Sequence, residues 1–338
     1  MTTRLSHSAI EKYNTCSEMY KLHYLDRIRP TTVTSALFFG GCIDEALNVS
    51  LLKKKKSLTE EEQELVKQNP FDIFDKYFTT QRINGEDVLV GKSKRVKYFK
   101  SDFQEDILHA EDIKNIVEYS KELDLISVNS VSYLKFYDEC SQLLRAKQSL
   151  VGDELLLYNY ISWNSLRRKG HMLIDQYTNE IIPQIEEVHS IQRKVELPDE
   201  EGNLLTGIID IDATLVDKGR FIIDNKTSSR PYKEVDLTES QQLSIYTEYA
   251  DTNKAAYIVM IKKLRKKEPR VKIQLLTGII PEETYEKVFD KISDTLYNIK
   301  EEKFEKNYDS CFQYGNKCPY YDLCRKGNMT NLVKLENK

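Results

Sequence analysis

The sequence has no apolar run approaching 18 residues, so no membrane-spanning stretch is expected from it. The opening Met-Thr-Thr-Arg-Leu-Ser-His-Ser lacks an apolar segment of the kind a secretory leader needs. The expectation is therefore a cytoplasmic protein, and structural disulfides are not expected there. There is also no surplus of positive charge. Fifty Lys and Arg face 54 Asp and Glu, giving a formal net charge of −4. That excludes a generally basic nucleic-acid coat, but not an enzyme with local basic tracks and carboxylates gathered at a metal site. The five histidines (His7, His23, His109, His171 and His189) show no metal-binding spacing. No motor motif appears. Gly85 to Ser93 imitates a phosphate-binding loop, but its G-x5-GKS spacing is one residue too long, and it is set aside.

What remains is ordinary globular material: 338 residues, 40% hydrophobic, 31% charged and 10% aromatic. At this length a single core nears its usual limit, so one large domain with an insertion, or two lobes, is expected. Local basic runs lie at Lys53–Lys56, at Lys92, Lys94, Arg95, Lys97 and Lys100, and at Lys262–Lys267 with Arg270. Each could be a phosphate track; the plainer reading of any one run is a solvated helix face or loop.

Along the chain, residues 5–25 read as a helix, with Ser8 and Glu11 at capping-box spacing and Ala9, Tyr13, Cys16 and Tyr20 at helical spacing. Leu37–Leu52 reads as a second helix entered through Gly40-Gly41. Residues 53–190 are polar, rich in Lys and Glu and helical in pattern, and read as a helical insertion or lobe. The character changes near 191. Strands are expected at Ile191–Leu197 and Leu204–Val216, then a turn at Asp217-Lys218-Gly219 and a strand at Arg220–Asn225. A helix follows at Asp236–Ala250, strands at Ala256–Ile261 and Val271–Leu276, and a helix opened by Pro281. The fold class is α/β. The segments are 1–52, 53–190, 191–305 and a cysteine-rich tail at 306–338.

The chemistry concentrates on the hairpin. Side chains two apart on a strand share a face, so Asp224 and Lys226 point together, as do Asp210 and Asp212, with Ile209 and Ile211 on the other face. Pairing the two strands brings Asp210 beside Asp224. Adjacent carboxylates repel and raise each other's pKa unless a cation lies between them, and hard oxygen ligands suit Mg²⁺ or Mn²⁺. A lysine beside them can orient a water and balance charge on a phosphate. Gln242 and Tyr246, at i and i+4, share a helix face. The plain alternative is a charged solvent face on an edge hairpin.

Taken in order, Gly207-Ile-Ile-Asp210, Asp224-Asn225-Lys226-Thr227 and Gln242-Leu-Ser-Ile-Tyr246 resemble the PD-(D/E)xK nucleases of the RecB and Cas4 type. Leu5-Ser-His-Ser8 with Tyr13 and Cys16 is similar to that family's opening, and Cys318-Pro-Tyr-Tyr-Asp-Leu-Cys324 to its end. The resemblance covers residues 1–50 and about 190–326, and none of the middle. It implies a restriction-endonuclease-like core: a mixed central sheet flanked by helices, with a large helical insertion. Asp210, Asp224 and the Asn225 carbonyl would hold the divalent ion. Lys226 would position the attacking water, and Gln242 and Tyr246 would organise the site and the DNA backbone. Glu196 sits where some relatives carry an acid. The family's usual Gly-x-x-x-His becomes Gly40-x-x-x-Asp44 here, so Asp44 either replaces the histidine as a ligand or is a surface residue.

Cys311, Cys318 and Cys324 supply three soft ligands where zinc or [4Fe–4S] needs four. No histidine follows His189, so the fourth must be distant: Cys16, Cys42 or Cys140. The resemblance implies a [4Fe–4S] cluster on Cys16, Cys311, Cys318 and Cys324, which would bring the two chain ends together. Zinc on the same residues, or free thiols, are the alternatives. The implied activity is a Mg²⁺- or Mn²⁺-dependent DNA exonuclease of recombination, repair or phage DNA metabolism, with DNA as partner and a helicase or recombination protein as a further candidate. The competing reading is a non-catalytic DNA-binding adaptor on a decayed nuclease fold.

Overall fold

The computed structural model describes residues 3–83, 85–90, 95, 96, 98–100, 107–109, 111, 113, 114, 153–199, 201–263, 270–315 and 317–336. Lys92, Lys94, Lys97, Cys140 and residues 264–267 of the last basic tract lie outside these residues.

The chain opens with a short strand, β1 (Arg4–Ser6), and a helix, α1 (His7–Thr15). The first helix therefore starts later than expected from residue 5. Leu5 and Ser6 are drawn into the sheet, and Ser6 becomes the cap, its hydroxyl accepting from the Ala9 N–H at 3.2 Å. The helix breaks at Cys16, whose backbone is extended (φ −163°, ψ 109°), before a turn of helix at Ser17–Tyr20 and a π-helical turn at Lys21–Leu25. The next long helix, α2 (Ser35–Leu52), is capped by Thr34, so Gly40 and Gly41 lie inside it rather than at its entry. It is the one helix among the described residues long and apolar enough to cross a membrane. Here Phe38, Phe39, Cys42, Ile43, Ala46 and Leu47 are buried in the core.

The described residues of 53–190 are helical only in part. The described part holds α3 (Pro70–Tyr77) and α4 (Asp153–Gln176), but also short strands at Thr80–Ile83, Glu86–Val90, Arg95–Val96, Tyr98–Lys100 and Ile107–His109. The reason is local. Ile83 pairs with Glu86 across a two-residue connection spelled Asn-Gly, with Gly85 at φ +82°, a hairpin signal flanked by Val88 and Leu89. The segment's described helices pack on the sheet. Phe74, Leu173, Ile174 and Tyr177 share one buried cluster with Ile211, Ile223, Ala256 and Ile258 of the sheet. A close approach permits this: a Cβ on Gly170 would lie 2.3 Å from the Phe74 ring.

The sheet has six strands: β1, then β2 (Ile185–Pro198), β3 (Leu204–Leu215), β4 (Gly219–Ser228), β5 (Lys254–Ile261) and β6 (Lys272–Ile279). Helix α5 (Gln241–Tyr249) lies between β4 and β5, and α6 (Glu282–Lys300) follows β6. The expected single helix from Asp236 is split. Asp236 instead accepts from the Lys233 N–H in a preceding turn of helix, and Ser240 caps α5. Pairing is mixed: β2, β3 and β4 run antiparallel, β4 and β5 parallel, β5 and β6 antiparallel. The β3–β4 turn is set by Asp217 (φ 58°) and Gly219 (φ 87°). Helices α2, α3 and α4 cover one face of the sheet, and α1, α5 and α6 the other. This is a mixed α/β fold with a central mixed sheet flanked by helices.

The two ends meet. Leu332–Lys334 pairs with Ile28–Pro30, the Tyr13 hydroxyl donates to the Lys303 carbonyl at 2.6 Å, and Tyr320 Oη lies 2.6 Å from His23 Nδ1.

Candidate active site

The site forms where the sheet divides. On one edge β3 pairs with β1 at Leu204–Thr206 and with β4 at Ile211–Leu215. Gly207 to Asp210 lie between these two ladders, so their backbone groups need other partners. The Tyr246 hydroxyl of α5 accepts from the Ile208 N–H at 3.4 Å, and Asp210 Oδ2 accepts from the Asn225 N–H at 3.1 Å. On its other edge β3 skips the Asp210/Gln192 pair, and Gln192 has φ 53°. Strand alternation is lost there. Ile209 packs with Ile222 and Ile211 with Ile223, in different clusters, so the expectation that Ile209 and Ile211 share a face fails.

Beyond Ile223, β4 leaves β3 and follows β5. Asp224 and Lys226 point towards α5, as their spacing predicts. Asp224 is 1% exposed. Gln242 joins the two: its Nε2 donates to Asp224 Oδ1 and its Oε1 accepts from Lys226 Nζ, each at 2.8 Å. The Lys226 ammonium lies 2.6 Å from Asp224 Oδ2, so each oxygen of this buried carboxylate has a partner. Gln242 also donates to the Tyr246 hydroxyl at 3.3 Å. Gly207 lies against the Tyr246 ring, where a Cβ would come within 2.4 Å of Cε1.

Charge follows from this geometry. Burial raises the Asp224 pKa, Lys226 opposes the rise, and Asp210 and then Asp44 add to it. For Lys226, burial works against the charge, but the Asp224 carboxylate outweighs it and the pKa rises. Asp44 belongs to this set because α2 can approach the strand: a Cβ on Gly40 would meet Thr227 Oγ1 at 3.3 Å. Asp44, one turn on, is close enough to act on Asp224 and on Tyr177. Asp212, on the same strand as Asp210, is not part of the site. Arg193 and Arg220 hold it, at 3.1 and 2.8 Å.

Three clefts meet at Lys226. One, of about 660 Å³, runs along Lys12, Tyr24, Phe38, Asp44 and Asn225. A second, of about 640 Å³, is bounded by Arg4, Lys194, Glu196 and Tyr246. The third, of about 970 Å³, leads past Arg230, Lys287 and Lys291. Glu196 faces outward and pairs with Arg4 at 3.2 Å. Of the predicted basic tracks, Lys55 and Lys56 are paired with Glu62 and Glu187. The cations lining the clefts come from scattered positions that no run announces.

Three residues here escape sequence reasoning. His7 lines two of the clefts, and its buried Nδ1 has no hydrogen bond. Burial lowers its pKa, Glu11 opposes this, and Lys226 and Lys291 add to the lowering. Gln192 donates to Asp210 Oδ1 at 3.3 Å. Tyr177 donates to Asn225 Oδ1 at 3.5 Å. Of the three, His7 alone had a local signal, its place beside Ser6 in the opening motif.

Among the described residues, no three His, Cys, Asp or Glu side chains stand in a ready metal-ligand arrangement. The donor chemistry still suits a hard divalent cation. Asp210 and Asp44 both act on the buried Asp224 carboxylate, so three hard oxygen donors bear on one place. The cysteines form a second group at the chain ends. After burial, Cys311, Cys16 and Cys324 all act to raise Cys318, and Cys16 and Cys311 act on Cys324. Cys16 accepts from the Asn307 N–H at 3.4 Å, and the Cys318 N–H donates to the Cys311 carbonyl at 2.8 Å. These four thiols are not in disulfides, and in this arrangement they do not form a closed metal-holding group. Cys42 is buried in α2, and burial raises its thiol well above the usual range. Cys140 lies outside the described residues.

The family model of the PD-(D/E)XK nuclease superfamily matches residues 132–325, which include Asp210, Asp224, Lys226 and Gln242. No curated protein matches. The solved crystal structure of SSO0001 aligns at 14% identity over 64% of this chain and 94% of that one, with a TM-score of only 0.30. On the family match, which spans more than half its length, the chain belongs to the PD-(D/E)XK nuclease superfamily.

Proposed function

We propose that this protein is a DNA exonuclease dependent on Mg²⁺ or Mn²⁺, with Asp44, Asp210, Asp224 and the Asn225 carbonyl as the metal-holding set. The observation that carries the reading is the Asp224–Gln242–Lys226 linkage at the divided sheet edge, reached by three clefts lined with cations. A bound divalent ion supplies Lewis-acid charge for the phosphate and acidifies water. Lys226 orients the attacking water and offsets charge growing on the phosphoryl oxygens. The water oxygen forms a P–O bond as the P–O bond to the leaving sugar oxygen breaks; the water gives its proton to solvent, and the leaving oxygen takes one up from solvent. Gln242 fixes Lys226 and Asp224 relative to each other, and Tyr246 buttresses Gln242. Asp44 takes the place of the family's usual histidine, and as a hard ligand it favours Mg²⁺ over softer ions.

The proposed setting is DNA recombination, repair or phage DNA metabolism in the cytoplasm. A helicase or recombination protein is a fitting partner, because no motor motif occurs in the sequence. A [4Fe–4S] cluster on Cys16, Cys311, Cys318 and Cys324 would act as a structural staple between the chain ends. Purified protein should then be brown, and Cys16→Ala should lose the colour. A colourless protein containing zinc would contradict the cluster. The exonuclease reading is tested with linear DNA blocked at either end and with closed circles. Loss should occur from one free end. Circles cut as fast as linear DNA would refute it.

A further inference from the structure

Tyr177 has no place in the reaction as described, and it lies in a stretch with no recognisable motif. It begins a π-helical turn, Tyr177–Ile181, at the end of α4. Such turns occur often at functional sites. Its side chain is fully buried (0% exposed) in the cluster below α2 and the sheet. A buried phenol has an apolar body and one polar end that needs a partner. Here that end reaches Asn225 Oδ1 at 3.5 Å, a long bond. Asn225 in turn donates its N–H to Asp210 Oδ2 at 3.1 Å, and Gln192 donates to Asp210 Oδ1 at 3.3 Å. The neighbouring Thr178 hydroxyl contacts Ser50 on α2 at 3.3 Å, anchoring the turn to the helix that carries Asp44. After burial and the Asn225 bond, the groups acting most on the phenol are Asp44 and Asp210. Tyr177 thus packs on the side of the sheet opposite α5, with its hydroxyl on Asn225.

We infer that Tyr177 is a positioning residue for the metal site, holding the side chain of Asn225 and thereby setting the backbone N–H that Asn225 donates to Asp210. This rests on the metal-dependent reading above. The consequence is that α4 belongs to the active site and does not merely flank it. Outer groups that orient metal ligands are typically worth about 10- to 100-fold in metal affinity.

The experiment is titration calorimetry with Mn²⁺ and Mg²⁺ on the full chain as wild type, Tyr177→Phe, Asn225→Ala and the double variant. Thermal melting without added divalent metal is recorded alongside. Tyr177→Phe removes one hydroxyl and keeps the ring. Its metal dissociation constant should rise about 10-fold, with metal-free melting close to wild type. Asn225→Ala should weaken binding similarly, and the double variant should be no worse than Asn225→Ala alone. Metal affinity of Tyr177→Phe within about twofold of wild type, or effects that multiply in the double variant, would overturn the inference. If Tyr177→Phe does not fold, Asn225→Ala must still show the loss, and unchanged affinity there overturns it too. Wild type that binds neither ion would instead defeat the metal reading on which the inference rests.

Discussion

Replacing Gly207 by alanine would drive a methyl group into the ring of Tyr246. The new Cβ would lie 2.4 Å from Cε1 and 3.1 Å from Cζ and the hydroxyl oxygen. Ordinary contact begins near 3.4 Å, so the ring must retreat by about 1 Å. It has little room, being 5% exposed and packed with Leu5, Ile209 and Ile245. Overpacking of this kind costs about 1–3 kcal/mol. In a chain of this size that lowers the melting temperature by several degrees. The functional loss should be larger than the stability loss. The retreating hydroxyl releases Ile208 and Gln242, and Gln242 is the group that holds Asp224 to Lys226. A displacement of about 1 Å at such a position can cost about a hundredfold in rate. Thermal melting and DNA degradation are measured on Gly207→Ala, Tyr246→Leu and the double variant. Tyr246→Leu removes the ring that the methyl strikes, so the two stability changes should couple by about 1 kcal/mol or more. Wild-type stability in Gly207→Ala, or additivity within about 0.5 kcal/mol, would refute the reasoning.

Asp75 joins α3 to α4 by accepting from Arg167 at two points, each 2.8 Å, and lying 2.9 Å from His171 Nε2. Burial opposes its ionisation, but His171 and Arg167 outweigh it and hold its pKa at about 2. A depressed carboxylate adds stability above its ordinary pKa and loses it as pH falls through the folded value. Asp75→Asn should thus melt below wild type at neutral pH, by about 1–2 kcal/mol, with the gap closing between about pH 4 and pH 2. A gap independent of pH would contradict this. Asp44→Asn relieves one of the charges that act on Asp224 and takes away a proposed ligand. Its Mn²⁺ affinity should fall. Unchanged affinity in calorimetry would return Asp44 to the surface role.

The hairpin was legible because its signals are local: alternating Ile and Asp, a turn at Asp217–Gly219, and three chemical side chains in one tripeptide. Gln242 and Tyr246 were legible for the same reason, being one helical turn apart. The departures arise from tertiary pairing. Leu5 and Ser6 look helical until β3 offers them a parallel partner. The first strand of the core begins at Ile185 rather than Ile191 because β3 pairs along almost its whole length. Asp210 sits at a break in strand alternation, and periodicity assumes none. The Asn-Gly pair before Glu86 was a readable signal, overlooked inside a Lys- and Glu-rich stretch. Tyr177 carried no signal at all. Its part depends on one hydroxyl reaching Asn225 across 48 residues of sequence. The meeting of the chain ends, expected from four cysteines, is made in the structure by strand pairing and aromatic contacts.

The most direct test of the central claim is degradation of labelled DNA by wild type and by Lys226→Ala, with Mg²⁺, with Mn²⁺ and with chelator. The account predicts metal-dependent loss of DNA with wild type, and a rate lower by at least about a hundredfold in Lys226→Ala, with DNA binding retained. Wild-type protein that binds DNA but never cuts it with either ion, or a Lys226→Ala variant that cuts as fast, would contradict it.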